Sequence, residues 1–151
     1  MLQLPKLARA IALVSALWLG ACSPLLADYS LDAYRNATSL KAEVGALVDE
    51  AGEPFTEHEA EVRSITVKVD AAYEFAAGIP HNELAMAQWD ELRGPNLFGE
   101  FVSQWRTRGQ LGQTYREETR VLLDDAFDLI ACLEVNKKER KRCFKAGGGG
   151  E

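Results

Sequence analysis

This sequence is short of most of the residues on which catalysis, metal capture and disulfide scaffolding depend. It has three cysteines, Cys22, Cys132 and Cys143, too few for a small fold held chiefly by disulfides, so a hydrophobic core must supply the stability. It has two histidines, His58 and His81, and no His-x-x-x-His or Glu-x-x-His spacing. They read as solvated surface side chains, and neither a metal nor another cofactor is expected. No Gly-rich phosphate loop and no Gly-x-Ser-x-Gly elbow occurs. Positive charge is also scarce: 17 Lys and Arg against 23 Asp and Glu give a net charge of −6, which argues against a nucleic-acid binder. With only 12 Gly and 5 Pro and 47% apolar residues, the collagen-like, low-complexity and wholly disordered classes are excluded. Beyond residue 27 no apolar run is long enough to span a bilayer. The composition is that of one ordinary globular domain, at most two.

What is present begins with an address. Residues 1–22 read MLQLPKLARAIALVSALWLGAC, with Lys6 and Arg9 as the only charges, an apolar run from Ala10 to Leu19, then small residues. This is the tripartite secretory signal pattern. Its last four residues, Leu19-Gly20-Ala21-Cys22, resemble the lipobox of bacterial lipoproteins. The resemblance implies cleavage before Cys22 and a lipid on its thiol, usually with a further acyl chain on the new amine, because one chain alone anchors only marginally. Ser23 after the cysteine resembles the outer-membrane sorting class, facing the periplasm if the organism has two membranes. The competing reading is an uncleaved membrane anchor over Ala10 to Ala27, eighteen residues without a charge, although Ser23 and Pro24 interrupt it. By this division residues 1–21 are signal, 22–29 a lipidated tether, 30–135 a folded domain and 136–151 a basic loop with a Gly-rich tail. The eight-residue step from Cys22 to Ser30 reaches at most about 28 Å. The domain is therefore held close to its membrane, and a partner must reach the same surface.

The folded part reads as all-α, a compact antiparallel bundle of four to five helices. Ala33, Ala37, Leu40, Val44, Leu47 and Ala51 recur in steps of four and three, with Asp28 or Ser30 as cap and Gly52 and Pro54 as stops. A second helix is expected to open on a capping box at Thr56-Glu57-His58-Glu59 with Phe55 as staple, and to carry Val62, Ile65, Val69, Ala72 and Ala76. Ile65, Val67 and Val69 also alternate as a strand would, but the longer window keeps the helical period. A short helix from about Asn82 to Arg93 presents Ala85, Trp89 and Leu92. After Gly94-Pro95 comes another stripe of Leu97, Phe98, Phe101, Val102 and Trp105, ending near Gly109. The last helix is expected to open on a second capping box at Thr114-Tyr115-Arg116-Glu117 and to bury Val121, Leu122, Ala126, Phe127, Ile130 and Leu133.

Four groupings bear on function. Trp89, Phe98, Phe101 and Trp105 concentrate aromatic surface near Gly94-Pro95, either as core or as a groove for an apolar ligand or partner helix. Asp124, Asp125 and Asp128, with Glu117 and Glu118, read as a solvated acidic face rather than an acid–base pair. Cys132 and Cys143 would stand about 16 Å apart on one straight helix, far beyond the roughly 7 Å between α-carbons that a disulfide allows. Either the helix ends near Val135-Asn136 and the chain folds back to close a bridge, or the helix runs straight with two free thiols. The stretch between them carries Lys137, Lys138, Arg140, Lys141 and Arg142. Those cations either complement a helix terminus or meet anionic headgroups or an acidic polymer, while residues 22–135 hold a net charge of −12.

These features lead to a non-enzymatic, membrane-anchored envelope lipoprotein acting as a helical interaction, scaffold or accessory module, with the bilayer and another envelope protein as partners. The alternative is a periplasmic small-molecule or metal-binding lipoprotein that uses the aromatic hairpin from Trp89 to Trp105. An envelope hydrolase working through paired acids is the third and weakest.

Overall fold

The computed structural model describes residues 26–144. Its helices are α1 (Leu31–Glu50), α2 (Phe55–Ala77), α3 (Glu83–Arg93), α4 (Phe98–Arg108) and α5 (Gln113–Val135), followed by one 3₁₀ turn at Arg140–Arg142. Among the described residues there is no strand, and Ile65, Val67 and Val69 all lie within α2. Nor is any described helix long and apolar enough to cross a membrane.

The arrangement is a four-helix up-and-down bundle whose third helix is broken in two. The α1 and α5 helices run antiparallel: Lys41 pairs with Asp128 at 2.6 Å, and near the other end the Leu111 amide donates to the Ala51 carbonyl at 2.8 Å. The α2 helix returns beside α1, with Lys68 on Glu43 at 2.6 Å. The third course is shared. The α3 helix lies along the C-terminal half of α2, where Arg93 sits over the Tyr73 ring at 3.8 Å and reaches Asp70 at 3.4 Å. The α4 helix lies along the N-terminal half, where Trp105 meets Phe55 edge-on at 5.5 Å.

The break follows from local chemistry. Gly94 is extended, as a residue before proline prefers, and Pro95 cannot continue the helical hydrogen bonding. The chain then restarts so tightly that the Gly99 amide donates to the Gly94 carbonyl at 3.1 Å. A Cβ on Gly99 would lie 2.6 Å from that oxygen, so only glycine fits without a shift.

The α1 stripe is buried as its spacing predicts, and the Ser30 hydroxyl accepts from the Ala33 amide at 3.2 Å. Neither expected capping box forms. The α2 helix starts two residues early, with Pro54 rather than Thr56 at the cap and no side-chain cap bond, and the Phe55 amide donates to the Gly109 carbonyl at 2.7 Å. The α5 helix starts behind Gly112, again without a side-chain cap.

The buried face of α5 is also rotated from the expected one. Val121 and Leu122 are 60% and 57% exposed, whereas Leu123 is buried with Phe127, Ile130, Leu133 and Glu134. The cause lies one and two turns earlier on the same stripe, where Arg116 and Arg120 face α1. Arg116 donates to the Asp49 carbonyl at 2.7 Å, and Arg120 bridges Asp49 at 3.2 Å and Asp124 at 3.1 Å. The α1 helix has no basic residue in its own last turn, so α5 supplies the cations its C-terminal dipole favours. Gly45 makes room for this: a Cβ there would meet the Arg120 guanidinium carbon at 2.4 Å.

Candidate functional site

Two ends of the bundle gather chemistry. At the first, α5 stops at Val135, and the chain folds back so that Cys132 and Cys143 are joined, with α-carbons 5.7 Å apart. The Asn136 side chain caps the reversal by donating to the Cys132 carbonyl at 3.0 Å. The loop is pinned further by Lys137, which is not part of an exposed basic patch. It is only 8% exposed, and its ammonium donates to Glu134 Oε1 at 2.7 Å and to the Asn82 side-chain oxygen. Asn82 in turn donates to the Ala76 carbonyl at 3.0 Å, closing the last turn of α2. Glu134 is fully buried, and its Oε2 has no hydrogen-bond partner. Beside Lys137 and Asn82 lies a cavity of about 10 Å³, room for a single water.

With Lys137 withdrawn, the surface cations of this loop are Lys138, Lys141 and Arg142, with Arg140 half-buried and Arg142 paired to Glu139. Lys138 and Arg142 share a shallow depression with Ala27, Asp28, Tyr29, Val135 and Glu139. The Ala27 amide donates to the His81 carbonyl at 3.2 Å, which fastens the incoming chain to the same end. Tyr29, Leu31, Val135 and Phe144 are exposed apolar side chains of the segments meeting here. Cys22 lies outside the described residues.

Of the two readings of the aromatic cluster, the structure shows the core. Trp89, Phe98, Phe101 and Trp105 are all buried in the core and do not line a groove. Trp89 packs edge-on against Phe127 at 5.9 Å, and Phe101 lies against Trp105 at 5.9 Å. Helical spacing aims all four at the same interior, where their area stabilises the fold. The acids of α5 stay near solvent: Asp124 and Asp128 pair with Arg120 and Lys41, and Asp125 is exposed.

At the other end the structure corrects the expectation for one histidine. The His58 side chain is only 14% exposed and stands among three carboxylates. Its Nε2 is 3.0 Å from Glu53, while its Nδ1 is 3.4 Å from Glu50 and 3.6 Å from Glu61. The Trp105 ring covers it at 5.4 Å, and the Trp105 indole N–H donates to the Glu53 carbonyl at 3.0 Å. The turn at residues 51–54 delivers Glu50 and Glu53 to His58, and one helical turn delivers Glu61. His81 belongs to the opposite end, about 30 Å of α2 away. The hydrogen bond to Glu53, with the Glu61 and Glu50 carboxylates, holds the His58 pKa above its ordinary value despite partial burial. Burial first, and then the Glu61 carboxylate, raise the Glu50 pKa.

The chain matches no family model, no curated protein and no solved structure.

Two outcomes are expected. Lys137→Ala strands a buried carboxylate and should destabilise the fold by about 3 kcal/mol, whereas Glu134→Leu with Lys137→Met should recover most of that loss in denaturant unfolding. Equal losses would show that the pair is not coupled. His58 and Glu50 both bind their protons more tightly in the fold, so their contribution is complete below the unfolded values and is lost as pH rises through the folded ones. As pH rises past the ordinary histidine value of about 6.5, with EDTA present, the native chain should lose stability relative to His58→Gln. A constant difference would contradict the assignment.

Proposed function

We propose that this chain is a membrane-anchored bacterial envelope lipoprotein whose helical bundle serves as a non-enzymatic interaction, scaffold or accessory module. The observation that carries the reading is that the incoming chain and the basic loop meet at one end of the bundle. Ala27 lies five residues from Cys22, a reach of at most about 18 Å. An acyl anchor on Cys22 therefore sets Lys138, Lys141 and Arg142 against the headgroups, where each cation contributes about 1 kcal/mol on an anionic surface. Tyr29, Leu31, Val135 and Phe144 suit the same interface, since amphipathic and apolar side chains sit well at the headgroup boundary. The disulfide fits an oxidising compartment outside the cytoplasm.

The helices satisfy one another's buried faces, so the sides left for a protein partner are those bearing Val67 and Phe75 on α2 and Val121 and Leu122 on α5. Ser23 after the lipidated cysteine favours an outer membrane, with the bundle facing the periplasm.

Cys22→Ser is expected to abolish acyl labelling and move the protein from the membrane to the soluble envelope fraction. Reversing Lys138, Lys141 and Arg142 to Glu should leave the acyl label in place but weaken binding to anionic vesicles by 100-fold or more, roughly 1 kcal/mol for each charge removed. Photocrosslinkers at Val67, Phe75, Val121 and Leu122 should join the chain to a second envelope protein in cells. Retention of Cys22→Ser on the membrane, equal binding to neutral and anionic vesicles, or no adduct from any of the four positions would each contradict the reading.

A further inference from the structure

We infer that Glu50, His58 and Glu61 form a site for a divalent transition-metal cation of the zinc type, with Glu53 as the group that orients the imidazole. The site lies at the end of the bundle remote from the basic loop and does not depend on the proposed function.

Hydrogen-bond chemistry fixes the orientation. An ionised carboxylate only accepts, so Glu53 at 3.0 Å from Nε2 requires the proton there. In the neutral imidazole Nδ1 then carries the lone pair, with Glu50 Oε2 at 3.4 Å and Glu61 Oε2 at 3.6 Å from it. That is the arrangement metal-bound histidines use, with one ring nitrogen on the ion and the other N–H held by a carboxylate.

Spacing gives the class of ion. Bonds of 2.0–2.1 Å to a tetrahedral centre place ligand atoms about 3.3 Å apart. Nδ1 stands 3.4 Å from Glu50 Oε2 and 3.6 Å from Glu61 Oε2, and one ligand atom from each of the three residues lies within 4.8 Å of the other two. Calcium would ask for six to eight oxygens and magnesium for an octahedron, neither of which suits one imidazole and two carboxylates.

A second observation points the same way. Glu50 Oε2 is buried with no hydrogen-bond partner, and Glu50 is the last residue of α1, where the helix dipole disfavours negative charge. One imidazole cannot serve three carboxylates at once, but a dication on Nδ1 would satisfy Glu50 and Glu61 together. It would staple the end of α1 to the start of α2 beneath the Trp105 ring. The Glu61 side is open to solvent and leaves the fourth position to water.

Titration of Zn²⁺ into protein purified from membranes tests this. Omitting reductant keeps Cys132 and Cys143 bonded and without thiolates to offer. One equivalent of Zn²⁺ is expected to bind and to raise the thermal midpoint, and Co²⁺ in its place should show the intense visible band of four-coordinate cobalt. His58→Gln should lower the affinity at least 100-fold. Glu61→Ala and Glu53→Ala, at surface positions that leave the fold intact, should each lower it about 10-fold or more, and His81→Gln should leave it unchanged. The absence of saturable Zn²⁺ binding, equal affinity for Ca²⁺ or Mg²⁺, or affinity unaltered by Glu61→Ala and His58→Gln would overturn the site.

Discussion

The buried ammonium of Lys137 decides how the last helix of the bundle is closed off. It is drawn out of the basic run and set between Glu134, one turn back, and Asn82, 55 residues away in sequence, so it ties the end of α5 and the loop behind it to the approach to α3. A buried ion pair adds little net stability compared with apolar packing, but it tolerates few alternative arrangements. Its consequence here is positional. With Lys137 held inside and Cys132 bonded to Cys143, Lys138, Lys141 and Arg142 are left at the surface, Lys138 and Arg142 beside Ala27, Asp28 and Tyr29. The net negative charge of the helical body and the positive charge of its C-terminal loop thereby become a polarity of the molecule itself.

The opposite end is organised by Trp105. Its ring is fully buried against Phe55 and Phe101, it covers His58, and its indole N–H closes the Glu53 carbonyl of the α1–α2 turn. The third course of the bundle must break for this to happen, since α4 can lie along the start of α2 only after the chain is redirected at Gly94-Pro95. An aromatic hairpin that would suit a ligand groove is thus spent on the core. The surface chemistry of this end falls instead to the carboxylates around His58.

Much of the architecture is legible in the residues. Steps of three and four placed the α1 stripe, Ala85, Trp89 and Leu92 on α3, and Phe98, Phe101 and Trp105 on α4, because apolar side chains at that spacing have one interior to share. The reading failed where polar side chains occupy inward positions. Arg116 and Arg120 continue the buried stripe of α5 towards its start, so counting apolar residues alone turned that face towards Val121 and Leu122. Glu134 sits one turn after Ile130 on the same stripe, a charge at a core position whose partner Lys137, three residues on, lies in a basic run that reads as surface. Both capping boxes failed because backbone carbonyls and glycine turns met those helix starts first. The cluster around His58 left one local trace, the Glu61 spacing. Glu50 and Glu53 arrive only through the turn geometry, and Trp105 comes from 47 residues away.

The proposed function requires the basic, disulfide-closed end of the bundle to face the membrane. Amide hydrogen exchange tests it directly, on the lipidated protein in vesicles rich in anionic lipid and on the same protein in detergent. The account requires added protection at residues 27–31 and 135–144 in the vesicles, with the turn at residues 51–54 and the start of α2 unchanged. Protection at the α1–α2 turn instead, or a bundle whose exchange is the same in both settings, would contradict it.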